Sequence, residues 1–173
     1  MVRVMITPED LDEFVRESNA IEGIYAAPGE PPYDDHLNAL RWVVSGNEWG
    51  RPDPLFLHGV MVRSEPWVTP GVYRNVDVMV GGSVKAPWQT IADLMGDLVW
   101  RADYPNVENL EAWCWDMHNE FEAIHPFRDG NGRTGRLWLN ALRLENGLPL
   151  LTVYEREREA YYQRIRDWER DNA

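Results

Sequence analysis

Apolar positions recur at helical spacing through most of the chain, and the pattern breaks once. Thr7-Pro8-Glu9-Asp10 opens the first segment. It offers a hydroxyl to cap, a proline for the first turn, and acids for the positive end of the dipole. Leu11, Phe14, Val15 and Ile21 supply its apolar face, and Gly23 its stop. Tyr33 to Ser45, with Leu37, Leu40, Trp42 and Val44, predicts a second helix closed by Gly46. Asp53-Pro54 opens a third, carried by Leu55, Leu57, Val60 and Met61. Ala86-Pro87 leads into a fourth, with Ile91, Leu94, Met95, Leu98 and Val99. Leu110, Trp113, Cys114, Met117, Phe121 and Ile124 mark a fifth. The apolar run Leu137 to Leu144 predicts a buried sixth, ended by Gly147 and Pro149. Glu155 to Trp168, alternating in charge on one side, predicts the last. The break is Thr69 to Val84. There Pro70-Gly71 turns the chain, Val72, Val76, Val78 and Val80 favour strand, and Gly81-Gly82 interrupts it. The expected fold is mainly α: a compact helical bundle with one small β-hairpin.

Composition narrows this picture. A length of 173 residues suits one domain over 1–173. The Pro/Gly-rich stretch Ala26 to Pro32 is too short to be an interdomain linker. Apolar residues at 44% exclude a disordered chain. A formal charge of −12 argues against a nucleic-acid polymer as partner, which needs a basic face. It leaves ATP open, because a site can be locally basic on an acidic protein. No apolar run reaches the roughly 20 residues of a membrane span. The N-terminal MVRVMITPED turns acidic too soon for a secretory signal, so a cytoplasmic location is expected. Cys114 is the only cysteine, which excludes an intrachain disulfide and makes it a candidate core residue. The nine Trp are expected to fill core and grooves. Nothing in the sequence sets the oligomeric state.

The chemistry concentrates in His125 to Arg136, H-P-F-R-D-G-N-G-R-T-G-R. An imidazole can take a proton from an attacking hydroxyl. A carboxylate, Asp129, can hold Mg²⁺ (or Mn²⁺) between phosphates. Glycines let backbone N–H groups approach phosphate oxygens, and arginines bind those oxygens in a fork. The flanking patterns make Asp129 to Gly132 the turn into a buried helix, whose free N–H groups form an anion site. Gly130 to Arg136 also comes close to a P-loop, G-x-x-x-x-G-K-[S/T]. Arg136 and Leu137 replace its lysine and hydroxyl, and a helix precedes it where a P-loop needs a strand, so that reading fails.

His125 to Arg136 resembles, without departure, the signature of Fic-domain proteins, H-x-F-x-[D/E]-G-N-G-R-x-x-R. Ser18-Asn19-Ala20-Ile21-Glu22-Gly23 resembles the family's inhibitory motif, [S/T]-x-x-x-E-[G/N], in the branch that carries it N-terminally. Gly71-Val72-Tyr73-Arg74 resembles the G-x-[F/Y]-R that opens the family's flap, where a target segment pairs strand to strand. The resemblance implies a protein adenylyltransferase. It would move AMP from MgATP onto a Ser, Thr or Tyr hydroxyl of a protein, the chain itself among the candidates, and release pyrophosphate.

It also implies roles. His125 is the base and Asp129 the metal ligand. Gly130, Asn131, Gly132 and Arg133 contact the phosphates, with Asn131 and Arg133 sharing in catalysis. Arg136 takes the γ-phosphate or pairs with inhibitory Glu22, and Tyr161 and Tyr162 pack near adenine. Phe127 is expected to anchor the loop in the core, and Pro126 to stiffen it. The segments implied are an inhibitory helix over 1–23, a flap over 69–84 and a catalytic helix-loop-helix over 108–147. The alternatives are removal of AMP from a target with Glu22 positioning water, use of another nucleotide, and a non-catalytic nucleotide-binding module. Intact His125, Asp129 and Asn131 weigh against the last.

Overall fold

Among the described residues, 5–46, 50–105 and 107–172, seven α-helices and one two-stranded hairpin make up the fold in a computed structural model of the chain. They are α1 (Pro8–Ile21), α2 (Pro31–Val44), α3 (Pro54–Met61), α4 (Ile91–Ala102), α5 (Leu110–Ile124), α6 (Asn131–Glu145) and α7 (Arg158–Asp171). The hairpin pairs β1 (Met79–Val80) with β2 (Ser83–Val84) antiparallel. The expected boundaries at 1 and 173, and the first four residues of the inhibitory segment, lie outside the described residues. No described helix is long and apolar enough to cross a membrane.

Local signals set the helix ends. Thr7 and Asp10 form a reciprocal capping box, with Pro8 in the first turn. Asp53 caps α3 through the Phe56 N–H at 2.7 Å. Ala86-Pro87 and Glu155 each lead first into a 3₁₀ turn, Trp88–Thr90 and Glu155–Glu157, and only then into α4 and α7.

The centre is α6, packed by α1, α2, α3 and α5, while α4 and α7 lie against α5. Leu137, Trp138, Leu139 and Leu142 are buried, as the apolar run requires. The polar residues of α6 from Asn131 to Arg143 are largely buried too, so they call for partners inside. Asn140 does so by bracketing the Leu151 backbone, donating to its carbonyl at 3.0 Å and accepting its N–H at 2.7 Å. This ties the return segment 148–153 to the bundle. Cys114 is fully buried, and burial pushes its thiol up to about 11, as suits an inert core residue. The tryptophans divide: Trp113, Trp115 and Trp138 fill the core, whereas Trp67 and Trp100 stand on the surface.

The hairpin is shorter than the valine pattern implies. Only 79–80 and 83–84 form strands, one further bond runs from the Lys85 N–H to the Val78 carbonyl at 3.1 Å, and the chain from Val72 to Asp77 runs without a strand partner. The reason is Arg74, which is buried without a carboxylate and spends its guanidinium on backbone carbonyls. It donates to His125 at 2.7 Å, Val76 at 2.6 Å, Ala86 at 2.5 Å and Ile124 at 3.2 Å. Its own N–H donates to the Pro126 carbonyl at 2.9 Å. The Val76 and Ala86 carbonyls are thereby taken from any ladder, and the hairpin is fastened to the end of α5.

Candidate active site

His125 ends α5 in the left-handed region, at φ 52°, the one non-glycine residue with positive φ among those described. A side chain in that conformation costs about 1–2 kcal/mol. The Arg74 bond to its carbonyl and its own N–H bond to the Phe121 carbonyl at 2.9 Å hold it there. The kink drops the chain into Pro126 to Gly130, and α6 begins at once.

The loop is fastened from both sides. The Phe127 ring is fully buried and stacks on His58, with ring centres 3.7 Å apart. His58 accepts the Gly71 N–H at Nδ1, 3.0 Å away. Its Nε2 must then carry the proton that goes to the Asp129 carbonyl at 3.1 Å. One imidazole thus joins the start of the hairpin segment to the turn before α6. The Asn131 amide is engaged with the Phe127 backbone, at 2.9 Å to both its N–H and its carbonyl. Arg133 points inward and makes a buried two-pronged pair with Glu65, at 2.6 and 3.2 Å. Gly130 has φ +78°, and a β-carbon there would press within 3.0 Å of Met61 and 3.1 Å of Val62.

No side chain caps the N-terminus of α6. The N–H groups of Asn131, Gly132 and Arg133 begin a helix and have no carbonyl behind them, which is the geometry of an anion site. Glu22, the residue that ends α1, reaches this spot. Its Oε1 accepts from Arg136 Nη2 at 2.8 Å and would lie 2.3 Å from a β-carbon on Gly132. Arg136 is also bonded to Ser18, through Oγ at 2.9 Å and the carbonyl at 2.8 Å, and to the Tyr161 hydroxyl at 3.4 Å. The Tyr161 hydroxyl reaches His118 Nε2 at 2.9 Å, so Tyr161 is buried as a support for Arg136. Tyr162, half-buried, packs beside it with ring centres 5.4 Å apart.

The His125 ring is held neutral. Burial, then Lys85, pushes its pKa down to about 4. The other three imidazoles, His36, His58 and His118, are fully buried and are pushed down as well, chiefly by burial.

Asp129 lies exposed at the turn. One carboxylate oxygen accepts the Gly130 N–H at 2.7 Å and the other the Trp67 indole N–H at 3.2 Å. No cluster of three or more His, Cys, Asp or Glu able to hold a metal occurs among the described residues. A single open carboxylate beside a phosphate-ready helix end fits Mg²⁺, which takes one or two carboxylates plus phosphates and water.

The site therefore gathers His125, Asp129, the turn Gly130 to Gly132, Arg136 and Glu22 around one helix end. Asn131 and Arg133 face the loop's own framework through their side chains. Gly71 and Arg74 are fixed under the loop, while Val72 is exposed and Tyr73 packs against Phe127, with ring centres 5.6 Å apart. His58 and Glu65 were not singled out from sequence. His58 is a lone polar residue within a short apolar helix and Glu65 closes the polar run Arg63-Ser64-Glu65 after it, with no motif to mark either.

Residues 55–142 match the Fic/DOC family. The chain is 28% identical over 153 residues to protein adenylyltransferase fic-1 of Caenorhabditis briggsae, covering 86% of this chain and 28% of that protein. It is 32% identical over 112 residues to protein adenylyltransferase Fic of Drosophila willistoni, covering 64% and 22%. The chain thus spans less than a third of the length of these curated relatives. A Fic family protein from Desulfovibrio desulfuricans G20 superposes with a TM-score of 0.74 at 27% identity, over 95% of this chain and 60% of that one. The fold also matches IbpAFic2 in its complex with adenylylated Cdc42, with a TM-score of 0.60 at 18% identity, over 90% of this chain and 55% of that one.

Proposed function

Because the chain belongs to the Fic/DOC family, we propose that it transfers AMP from ATP to a hydroxyl of a protein and releases pyrophosphate. The observation that carries this reading is a neutral imidazole, His125, beside an uncapped helix N-terminus built to receive phosphate. The protein hydroxyl attacks the α-phosphorus and its proton passes to His125. The bond from that phosphorus to pyrophosphate breaks. The backbone N–H groups of Asn131 to Arg133 stabilise charge on the α-phosphoryl oxygens, in the manner of an oxyanion hole. Asn131 and Arg133 serve by holding the turn through Phe127 and Glu65. Arg136 receives the γ-phosphate once Glu22 has left it. Asp129 would hold Mg²⁺, which when bound offsets charge on the phosphates. Tyr162 is the tyrosine placed to reach the base, since the Tyr161 hydroxyl is committed to His118 and Arg136.

The target is a protein with an accessible extended segment. The exposed side chains of Val72, Met79 and Val80 support this, because the unpaired edge of β1 can take a further strand. Capture of adenylylated Cdc42 by IbpAFic2 is consistent with such an acceptor. The test is isotopic. Incubation with ATP labelled at the α-phosphorus should leave label on protein, and ATP labelled at the γ-phosphorus should not. EDTA, or Asp129→Ala, should remove the signal. Label from the γ-position on protein would replace adenylyl transfer by phosphoryl transfer. Tight nucleotide binding with no label from either position would leave a binding module.

A further inference from the structure

Three residues before His125, Glu122 lies with its carboxyl in a slot between α5 and α6. The slot exists because residue 135 is glycine. A β-carbon there would sit 2.4 Å from Glu122 Oε1 and 3.0 Å from both His118 and Phe121. Inside it Oε1 has no hydrogen-bond partner. Oε2 faces His125 Nδ1 at 3.9 Å, and that nitrogen has no partner either. The Glu122 backbone carbonyl also lies near this edge of the ring, without hydrogen-bonding geometry. A buried carboxyl with one orphaned oxygen in the slot, and its other oxygen turned to an orphaned ring nitrogen, is costly to keep and calls for a function.

We propose that Glu122 is a positioning residue for the base. Its carboxylate takes the Nδ1–H of His125 across this gap, keeps Nε2 free for the reacting hydroxyl, and stabilises the imidazolium formed when that proton arrives. The inference rests on the transfer reaction above. At the 3.9 Å separation seen here the imidazole stays pushed down to about 4; closing the gap to a hydrogen bond as the proton arrives draws its pKa up toward the working pH, where proton transfer is efficient. The groups facing the pair are Arg136 from α6, Glu22 from the end of α1, Lys85 and Arg74 from the hairpin segment, and Tyr161, Tyr162 and Glu169 from α7. Burial pushes Glu122 itself up to about 7. The proton balance closes: the hydroxyl proton ends on Nε2, Nδ1–H stays bonded to Glu122, and pyrophosphate carries away the electron pair of the broken P–O bond.

The experiment compares wild type with Glu122→Gln and Glu122→Leu, using α-labelled ATP and ¹⁵N-histidine NMR. Glu122→Gln should lower kcat about tenfold, the lower end of what loss of a carboxylate behind a histidine costs in metal sites. The KM for ATP should stay within about twofold, because ground-state binding is untouched. The acid limb of the pH–rate profile should move to lower pH, because the imidazolium has lost its counter-charge. In the Glu122→Leu spectrum His125 should lose its preference for the Nδ1–H tautomer, with melting temperature as the control for folding. Unchanged kcat and pH profile, or an unchanged tautomer in Glu122→Leu, overturns the proposal. If wild type labels no protein, the transfer reading fails, and the tautomer measurement still decides the role of Glu122.

Discussion

Replacing His125 by alanine is expected to lower AMP transfer by about 10²–10⁴-fold, the range a general base contributes. Binding of ATP should hardly change. The phosphate site is made by the α6 N-terminus and Arg136, and neither depends on the His125 ring. The substitution has a structural side effect, because residue 125 sits at φ 52° and alanine there is strained. His125→Asn is the companion variant, since asparagine tolerates that region. Arg74 grips the carbonyl of residue 125 and keeps the turn in either variant. Label transfer and ATP affinity measured side by side decide the matter. If either variant keeps activity within a few-fold of wild type, His125 is not the base.

Glu22→Gly is expected to raise transfer at least about tenfold, and towards a hundredfold if ATP is otherwise always misplaced. A hundredfold corresponds to about 2.7 kcal/mol. Arg136 is buried but the Glu22 side chain stays 30% accessible, so the contact falls short of the roughly 3–5 kcal/mol that loss of one partner costs a fully buried pair, and about 2.7 kcal/mol is its upper range. The contact sits where a phosphate would, on Gly132 and Arg136. A positioning effect on this scale suits phosphoryl-type chemistry, where geometry supplies most of the rate. The variant should fold, because Ser18 still holds Arg136 through two bonds and α1 stays docked. Glu22→Asp, one methylene shorter, should activate less. Arg136→Ala should not activate, since it also removes the γ-phosphate ligand. Equal labelling by wild type and Glu22→Gly would reduce Glu22 to a helix end.

The helices were legible because their ends are written in local chemistry: Thr7-Pro8, Asp53-Pro54, Gly23 and Gly147 act within a few residues. The signature was legible because its residues are contiguous. What escaped depends on contacts between distant segments. His58 links Gly71 to Asp129 through both ring nitrogens, and nothing in Leu57-His58-Gly59 announces that. The short hairpin escaped because valine spacing speaks for strand, while Arg74 withdraws the carbonyls a longer ladder needs. The left-handed His125 escaped because glycine or asparagine is the usual helix-ending residue there. Glu122 was visible at i−3 from the histidine, but its slot depends on Gly135, on another helix.

The four buried neutral imidazoles make this protein a proton acceptor on unfolding. Each is held well below the usual 6.5, His58 and His125 at about 4 and His118 at about 3. The unfolded chain therefore binds more protons between about pH 6.5 and 4, and stability falls as pH falls through that window. Glu122, raised to about 7, works in the opposite sense and offsets one of the four. A net uptake of about three protons amounts to about 4 kcal/mol per pH unit, at about 1.4 kcal/mol for each. Across the roughly 2.5 pH units of that window the slope removes at most about 10 kcal/mol, on the scale of a total stability of about 5–15 kcal/mol. Urea midpoints taken stepwise from pH 7.5 to 4.5 should drop steeply, with proton uptake on unfolding peaking where they drop fastest. The burial that holds the His125 ring neutral thus also ties the fold to neutral surroundings.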